Sequence, residues 1–320
     1  MYRFFDKAHY DFVGLRRKAY LASSTALAIS LAFGIYWAVS KGGALNYGVD
    51  FTGGTITQVR VPQARDAGDL RGVVGAAVSG TEISRFGEGG GEYLIRTPVG
   101  SGDEATGGSE AVVQALRQRF GNDGVEVARV EAASAKVGSE LQSKALLASL
   151  ISFGATLIYL AFRFEWRFGT AAVVATIHDI LLTLGLIIIL RLEVSLPMVA
   201  AILTIVGYSL NDTIIVFDRV RENLRTSRRV DFAQTLNRSL NETLPRTLLT
   251  AGTTLATLLA LFLFAGPIIR EFALILIAGI ILGTYSSIFV ASPVLLEIEK
   301  RWPGETAVKT KRPVKRPARA

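Results

Sequence analysis

Long apolar runs broken by short polar connections make up most of the chain, with one wide polar stretch near its start. A helix needs about 20 residues to cross the hydrocarbon core of a bilayer. Six runs reach that length, at 19–39, 144–162, 170–190, 196–217, 247–265 and 271–295. The backbone of a spanning segment must satisfy its own hydrogen bonds in lipid, so each run predicts a transmembrane helix. The first run exceeds the apolar core of a signal peptide, about 7–15 residues, and reads as an uncleaved helix. Ala38-Val39-Ser40 would otherwise pass as a cleavage site.

Between the first two runs the periodicity changes. TITQVRV (55–61), TEISRF (81–86), EYLIRT (92–97) and VEVARVEAAS (125–134) read as strands. AGDLRGVVGAAVS (67–79) and the stretch from Ser109 to Phe120 have helical spacing. GEGGG joins the second and third strands as a turn. The order β-α-β-β-α-β predicts a ferredoxin-like α+β domain. Such a fold names no function by itself, and this one shows no nucleophile–base pair and no metal-ligand spacing. The fold class expected is an α-helical membrane protein. Six transmembrane helices carry one ferredoxin-like extracytoplasmic domain between helices 1 and 2. The chain divides into a cytoplasmic tail (1–18), helix 1 (19–39), the outer domain (40–140), helices 2–6 (141–297) with a cytoplasmic loop at 218–244, and a basic, disordered cytoplasmic tail (298–320).

Composition agrees: half of the residues are hydrophobic, which places the chain among polytopic membrane proteins. The lack of cysteine excludes a disulfide framework and a thiolate metal site. The net charge of +8 could suggest nucleic acid, but its distribution argues against that. Arg3, Lys7, Arg16, Arg17 and Lys18 precede helix 1, Arg163 and Arg167 follow helix 2, and six arginines from Arg219 to Arg238 follow helix 4. With the basic C-terminal tail, all of these fall on one side, which the positive-inside rule makes the cytoplasm. Both termini are then inside, and no nucleic acid is expected as a partner.

Polar side chains within the runs stand out, because a charge at the centre of a spanning helix costs about 3 kcal/mol on insertion scales. Asp212 lies two turns short of Arg219 on helix 4, with Ser209 and Val216 on its face. Arg246 lies near the inner end of helix 5, where Pro245 suits a first helical turn, and Thr250 is one turn deeper. His178 and Asp179 are adjacent on helix 3, and Asn211 precedes Asp212. Each has a structural reading beside the functional one. Asp212 could brace the inner loop, Arg246 could snorkel to the interface, and His178, Asp179 and Asn211 could bond across helices. The functional reading is a proton path. A carboxylate shielded from water and one facing a guanidinium hold a proton with different strength. If the distance from Asp212 to Arg246 changed with conformation, Asp212 would load and release a proton, coupling a gradient to a change of shape.

VGYSLNDTIIVFDRVREN (206–223) followed by LPRTLLTAGTTL, with GVDFTGGT (48–55), the HDI of helix 3 and FAGP (264–267), closely resembles the SecD/SecF family of the bacterial Sec preprotein translocase. The resemblance runs from about residue 10 to 297, in the order of one helix, outer domain and five helices. It implies a chain of the SecF type that pairs with SecD, associates with the SecYEG channel and acts on unfolded preprotein in the bacterial inner membrane. It implies energy from the proton gradient, with no cofactor and no hydrolytic chemistry of the chain's own. It places Asp212, Arg246 and Thr250 on the proton path, while His178, Asp179 and Asn211 stay secondary polar positions read from the residues alone. The family also resembles one half of the resistance-nodulation-division exporters. No second half or internal repeat is present, so the other half must come from another chain. Three rival readings are half of a proton-coupled exporter of lipids or small amphiphiles, a scaffold for the channel, and an intramembrane aspartyl protease using Asp179 and Asp212. For the last, the sequence reads GYSLND where GxGD is required.

Overall fold

A computed structural model describes residues 9–64, 66–78, 80–85, 91–98, 107–226 and 231–303. Among the described residues six helices are long and apolar enough to cross a membrane: α1 (Arg16–Lys41), α5 (Ala135–Arg163), α6 (Trp166–Ile189), α7 (Leu196–Thr226), α8 (Phe232–Phe264), and α9 (Pro267–Ser286) continued through a π-helical turn (Ser287–Ala291) into α10 (Ser292–Arg301). The six expected spans each coincide with one of these, those at 170–190 and 247–265 overrunning their helices by one residue.

The outer segment opens with β1 (Asn46–Tyr47) and a single turn, α2 (Val49–Thr52). It continues as β2 (Gly54–Arg60), α3 (Ala67–Ala77), β3 (Glu82–Arg85), β4 (Glu92–Thr97), α4 (Gly107–Phe120) and β5 (Glu126–Ala133). The four main strands form one antiparallel sheet in the order β3-β4-β2-β5. This is the split β-α-β-β-α-β succession read from the sequence. Its core is Val59, Leu70, Val74, Tyr93, Ile95, Val112 and Leu116, each fully buried between sheet and helices. Asp66 caps α3, its carboxylate accepting from the Gly68 and Asp69 amides. Most of the expected GEGGG turn lies outside the described residues.

The glycines of GVDFTGGT have a steric reason. Gly53 and Gly54 adopt φ of 74° and 133°, which side chains rarely tolerate. A Cβ on Gly54 would also overlap the Thr97 carbonyl oxygen, and Gly138 of α5 packs directly on Gly53 and Phe51. The loop is thereby wedged between the sheet and the start of α5.

Within the bundle, α6, α7 and α9 form the interior, and α7 packs against α6, α8 and α9. The lipid-level faces of α1, α5 and α8 stay largely open: only 6% of the apolar window of α5 is buried. Gly279 and Gly283 let α9 approach Ile205 and Ser209 of α7 closely enough that a methyl group at either would collide. Small residues four apart are a recurrent device for close helix contact in lipid.

Three local expectations are corrected. The segment 218–244, read as a loop, is mostly helical: α7 runs to Thr226 and α8 begins at Phe232. The reason is continued amphipathic burial of Val220, Asn223, Leu236 and Leu240, with Asp231 capping α8. Pro245 sits inside α8 and not in its first turn. It removes one donor to the residue 241 carbonyl, but the turns on either side hold the helix. Residues 298–301 of the expected disordered tail belong to α10. Residues 304–320 lie outside the described residues.

At about 1.5 Å per residue, α7 and α8 exceed the hydrocarbon thickness and project beyond it as a helical hairpin. Charged groups pair along this projection. Arg219 contacts Glu242 at 2.6 Å and Glu222 at 2.7 Å, and Arg238 reaches Glu242 at 2.7 Å. Asn223 joins Ser239 at 2.9 Å.

Candidate functional site

Asp212 lies on the face of α7 turned toward α9 and is 1% exposed. That face is set by helical spacing: Ile205, Ser209, Asp212, Thr213 and Val216 are all buried. Among the described residues its one hydrogen-bonding neighbour is Thr284 of α9, whose Oγ1 is 3.5 Å from Oδ2, at the outer limit of a bond. A buried carboxylate with so few donors is poorly suited to being a purely structural charge.

Arg246 belongs to the neighbouring helix α8 and is exposed. It is close enough to attract Asp212 through space, yet no ion pair within 4.0 Å joins them. The two groups predicted to interact therefore lie on adjacent packed helices, apart in this conformation. Thr250, one turn from Arg246, is half-buried and donates to the Arg246 carbonyl at 3.1 Å and the Thr247 carbonyl at 3.0 Å. Tyr208, one turn before Asp212, faces Thr250 and Thr254, but its hydroxyl meets no ordinary hydrogen-bond geometry. The Thr247 hydroxyl is buried without a partner among the described residues. The sequence pattern missed Tyr208, whose i, i+4 spacing to Asp212 was the available signal.

Asn211 corrects an expectation. It is exposed on α7 and, among the described residues, makes no hydrogen bond across to another helix. It directly precedes Asp212, and a step of one residue turns a helix by about 100°, so it points out of the bundle while Asp212 points in.

His178 and Asp179 are brought into a network that the sequence only hinted at. Asp179 is 1% exposed and His178 8%. His178 Nδ1 lies 2.9 Å from Asp179 Oδ1, and Nε2 lies 3.0 Å from Ser23 Oγ of α1. Asp179 Oδ2 accepts from Ser209 of α7 at 2.5 Å and from Ser286 of α9 at 2.6 Å. Ser23, Ser286 and Tyr285 were not singled out, because one hydroxyl in an apolar run carries no signal about its neighbours. Among the described residues no group of three or more metal-ligating side chains occurs.

Residues 112–301 match the family described as protein export membrane protein SecD/SecF, C-terminal, and residues 44–63 match the SecD/SecF GG motif. The second match contains Gly53 and Gly54. The protein translocase subunit SecF of Gemmatimonas aurantiaca is 46% identical over 310 residues, covering 95% of this chain and 91% of that protein. The SecF of Magnetococcus marinus is 42% identical, covering 96% and 99%. Among solved structures, SecDF of Thermus thermophilus, a translocon-associated membrane protein, superposes with a TM-score of 0.80 at 34% identity. That match covers 94% of this chain, which spans 40% of the longer SecDF chain. With a family match across the bundle, a second at the glycine loop and relatives aligned nearly end to end, the chain belongs to the SecD/SecF family of protein export membrane proteins.

Proposed function

We propose that this chain is the SecF-type auxiliary subunit of Sec protein export, pairing with SecD and using the proton gradient to help draw unfolded preprotein across the bacterial inner membrane. Asp212 is the group that takes up and releases the proton, and Arg246 and Thr250 are the partners that alternately face it. The chain performs no hydrolytic chemistry of its own. Its termini face the cytoplasm and its α/β domain faces the outer side, where the preprotein emerges from the SecYEG channel.

The observation that carries this reading is the separation of Asp212 from Arg246. A permanent ion pair would be closed, whereas here a buried carboxylate and an exposed guanidinium sit on neighbouring helices without contact. Closing that gap would trade one proton for one ion pair, and the trade can drive a two-state rearrangement. The open faces around Arg246 and Asn211 and the unpartnered hydroxyls of Tyr208 and Thr247 fit a bundle completed by a second set of helices.

The test is export into proteoliposomes holding SecD, SecYEG and this chain, with and without an imposed proton gradient. Asp212→Asn is expected to abolish the gradient-dependent increment and to spare the ATP-driven part. Wild-type response to the gradient in that variant would eliminate the coupling role.

A further inference from the structure

The His178–Asp179 pair plays no part in the coupling step above, yet both side chains are buried and joined by hydrogen bonds to three other helices. Four contacts run in series from it. Asp179 Oδ1 meets His178 Nδ1 at 2.9 Å, and His178 Nε2 meets Ser23 Oγ at 3.0 Å. Ser23 Oγ then meets the Tyr285 hydroxyl at 3.2 Å, and that hydroxyl donates to the Ala19 carbonyl at 3.0 Å.

Only one placement of hydrogens satisfies all four contacts at once. Tyr285 has one hydrogen and gives it to Ala19. Ser23 must then donate to Tyr285, so its oxygen accepts from Nε2–H of His178. With Nε2 protonated, the Nδ1 to Oδ1 contact still needs a hydrogen, which the imidazole and carboxylate share. The second oxygen of Asp179 is already filled by Ser209 and Ser286. Satisfying all four contacts therefore takes one proton more than a neutral histidine beside an ionised aspartate carries.

We propose that the His178–Asp179 pair is a second proton-binding site, joined to α7 through Ser209, one helical turn before Asp212, and that its proton sets the direction of the hydrogen-bond chain tying α6 to α1 and α9. When the site is empty, the ring keeps one hydrogen, on Nδ1 facing Asp179. Nε2 is bare and accepts from Ser23, Ser23 accepts from Tyr285, and Tyr285 leaves the Ala19 carbonyl. The states differ by one proton, lost from Nε2, and two hydroxyl rotations complete the change. In both states Asp179 keeps its serine donors, so neither leaves a bare buried carboxylate. Among the described residues no lysine or arginine pairs with Asp179. The titratable groups facing the pair are Tyr285 of α9 and, one turn past Ser209 on α7, Asp212.

The link to Asp212 is direct. Thr284, Tyr285 and Ser286 are consecutive on α9 and touch Asp212, Ser23 and Asp179 respectively. The π-helical turn begins at the next residue, a kind of irregularity that concentrates at functional sites. The hydroxyl that turns when the proton leaves therefore belongs to the residue next to Thr284, the hydrogen-bonding neighbour of Asp212 among the described residues. The coupling purpose of this site rests on the proton-path reading of Asp212, but its proton binding does not.

The chain has two histidines, so His9→Gln leaves His178 as the sole imidazole. The full chain with ¹⁵N-labelled histidine, held in lipid nanodiscs, can be titrated by NMR from about pH 5 to 10. Two forms are expected: Nε2 protonated on the acid side, and Nε2 bare with Nδ1 protonated on the alkaline side. One tautomer throughout that range would overturn the proposal. Tyr285→Phe keeps the ring and removes the end of the chain. Loss of one hydrogen bond is expected to change the proton affinity about tenfold, and an unmoved midpoint would also overturn it. Both readouts are independent of export. They stand whether or not Asp212→Asn changes transport.

Discussion

Glu193 joins the outer domain to the bundle, and its protonation is expected to tighten that junction. It lies in β6 (Glu193–Val194), the two-residue strand between α6 and α7, which pairs in parallel with β1. Its Oε2 is 2.8 Å from Arg96 Nε of β4. Around it, Arg191 donates to the Gly43 and Ala44 carbonyls at 2.9 and 3.1 Å. Asp50 accepts from the Leu196 amide at 2.9 Å. The charged groups lining the shared cavity are Asp50, Arg96, Glu131, Glu193 and Glu271, and Glu82 also acts on Glu193. Burial raises the Glu193 carboxyl to about 7. The Arg96 guanidinium pulls it down, and Glu271, Glu82 and Asp50 push it further up. A detached Glu193 would return to 4.5. The docked state thus binds the proton more tightly than the detached one, so protons favour docking. The gain is absent above pH 7, grows as pH falls through 7 and levels off below 4.5. A gap of this size corresponds to about 3 kcal/mol at full effect, and to about 2 kcal/mol between pH 8 and pH 5 after allowing for partial exposure. Naive counting of the Arg96 ion pair gives the opposite sign, because it neglects the cost of burying the charge.

Hydrogen exchange at the Gly48 amide, which donates to Val194 at 2.9 Å, and at the Leu196 amide reads this directly. After correction for intrinsic rates, protection at pH 5 should exceed that at pH 8 about 30-fold, the equivalent of 2 kcal/mol. Glu193→Gln should be protected at both values and lose the dependence. Protection that falls on acidification, or a variant that responds like the wild type, would refute the reasoning.

Gly54→Ala should destabilise the outer domain by at least about 2 kcal/mol, because strained φ and a clash with Thr97 add; thermal unfolding followed by near-ultraviolet dichroism checks this. Leu116→Ala in the same core should cost about 2–5 kcal/mol, read as a lower denaturant midpoint. Arg246→Met should remove the gradient-dependent increment of export and leave ATP-driven export in place, and an unchanged increment would separate Arg246 from the path. Gly283→Leu should drive α9 off Ser209 and lower the melting temperature of the purified chain, measured by differential scanning fluorimetry.

The hydrophobic pattern alone determined six spanning helices, the outer domain between the first two, and the succession of its strands and helices. These follow from composition and period, which are local properties. It also marked Asp212, Arg246, His178 and Asp179, since a polar side chain at lipid depth stands out against its neighbours. Depth is readable along a helix, but direction around it is only partly so. Asn211 and Asp212 are adjacent in sequence, and only packing turned the first outward and the second toward Thr284. Helix continuity past Asp218 and through Pro245 depended on burial of Val220, Leu236 and Leu240 against one another. The ring of Ser23, His178, Asp179, Ser209, Tyr285 and Ser286 draws on four helices separated by up to 263 positions between Ser23 and Ser286. Hydrogen bonds form between groups that the fold brings within about 3 Å, and no stretch of chain carries the coordinates of its partner. The sequence therefore names the polar residues, and the tertiary structure decides which of them share a proton.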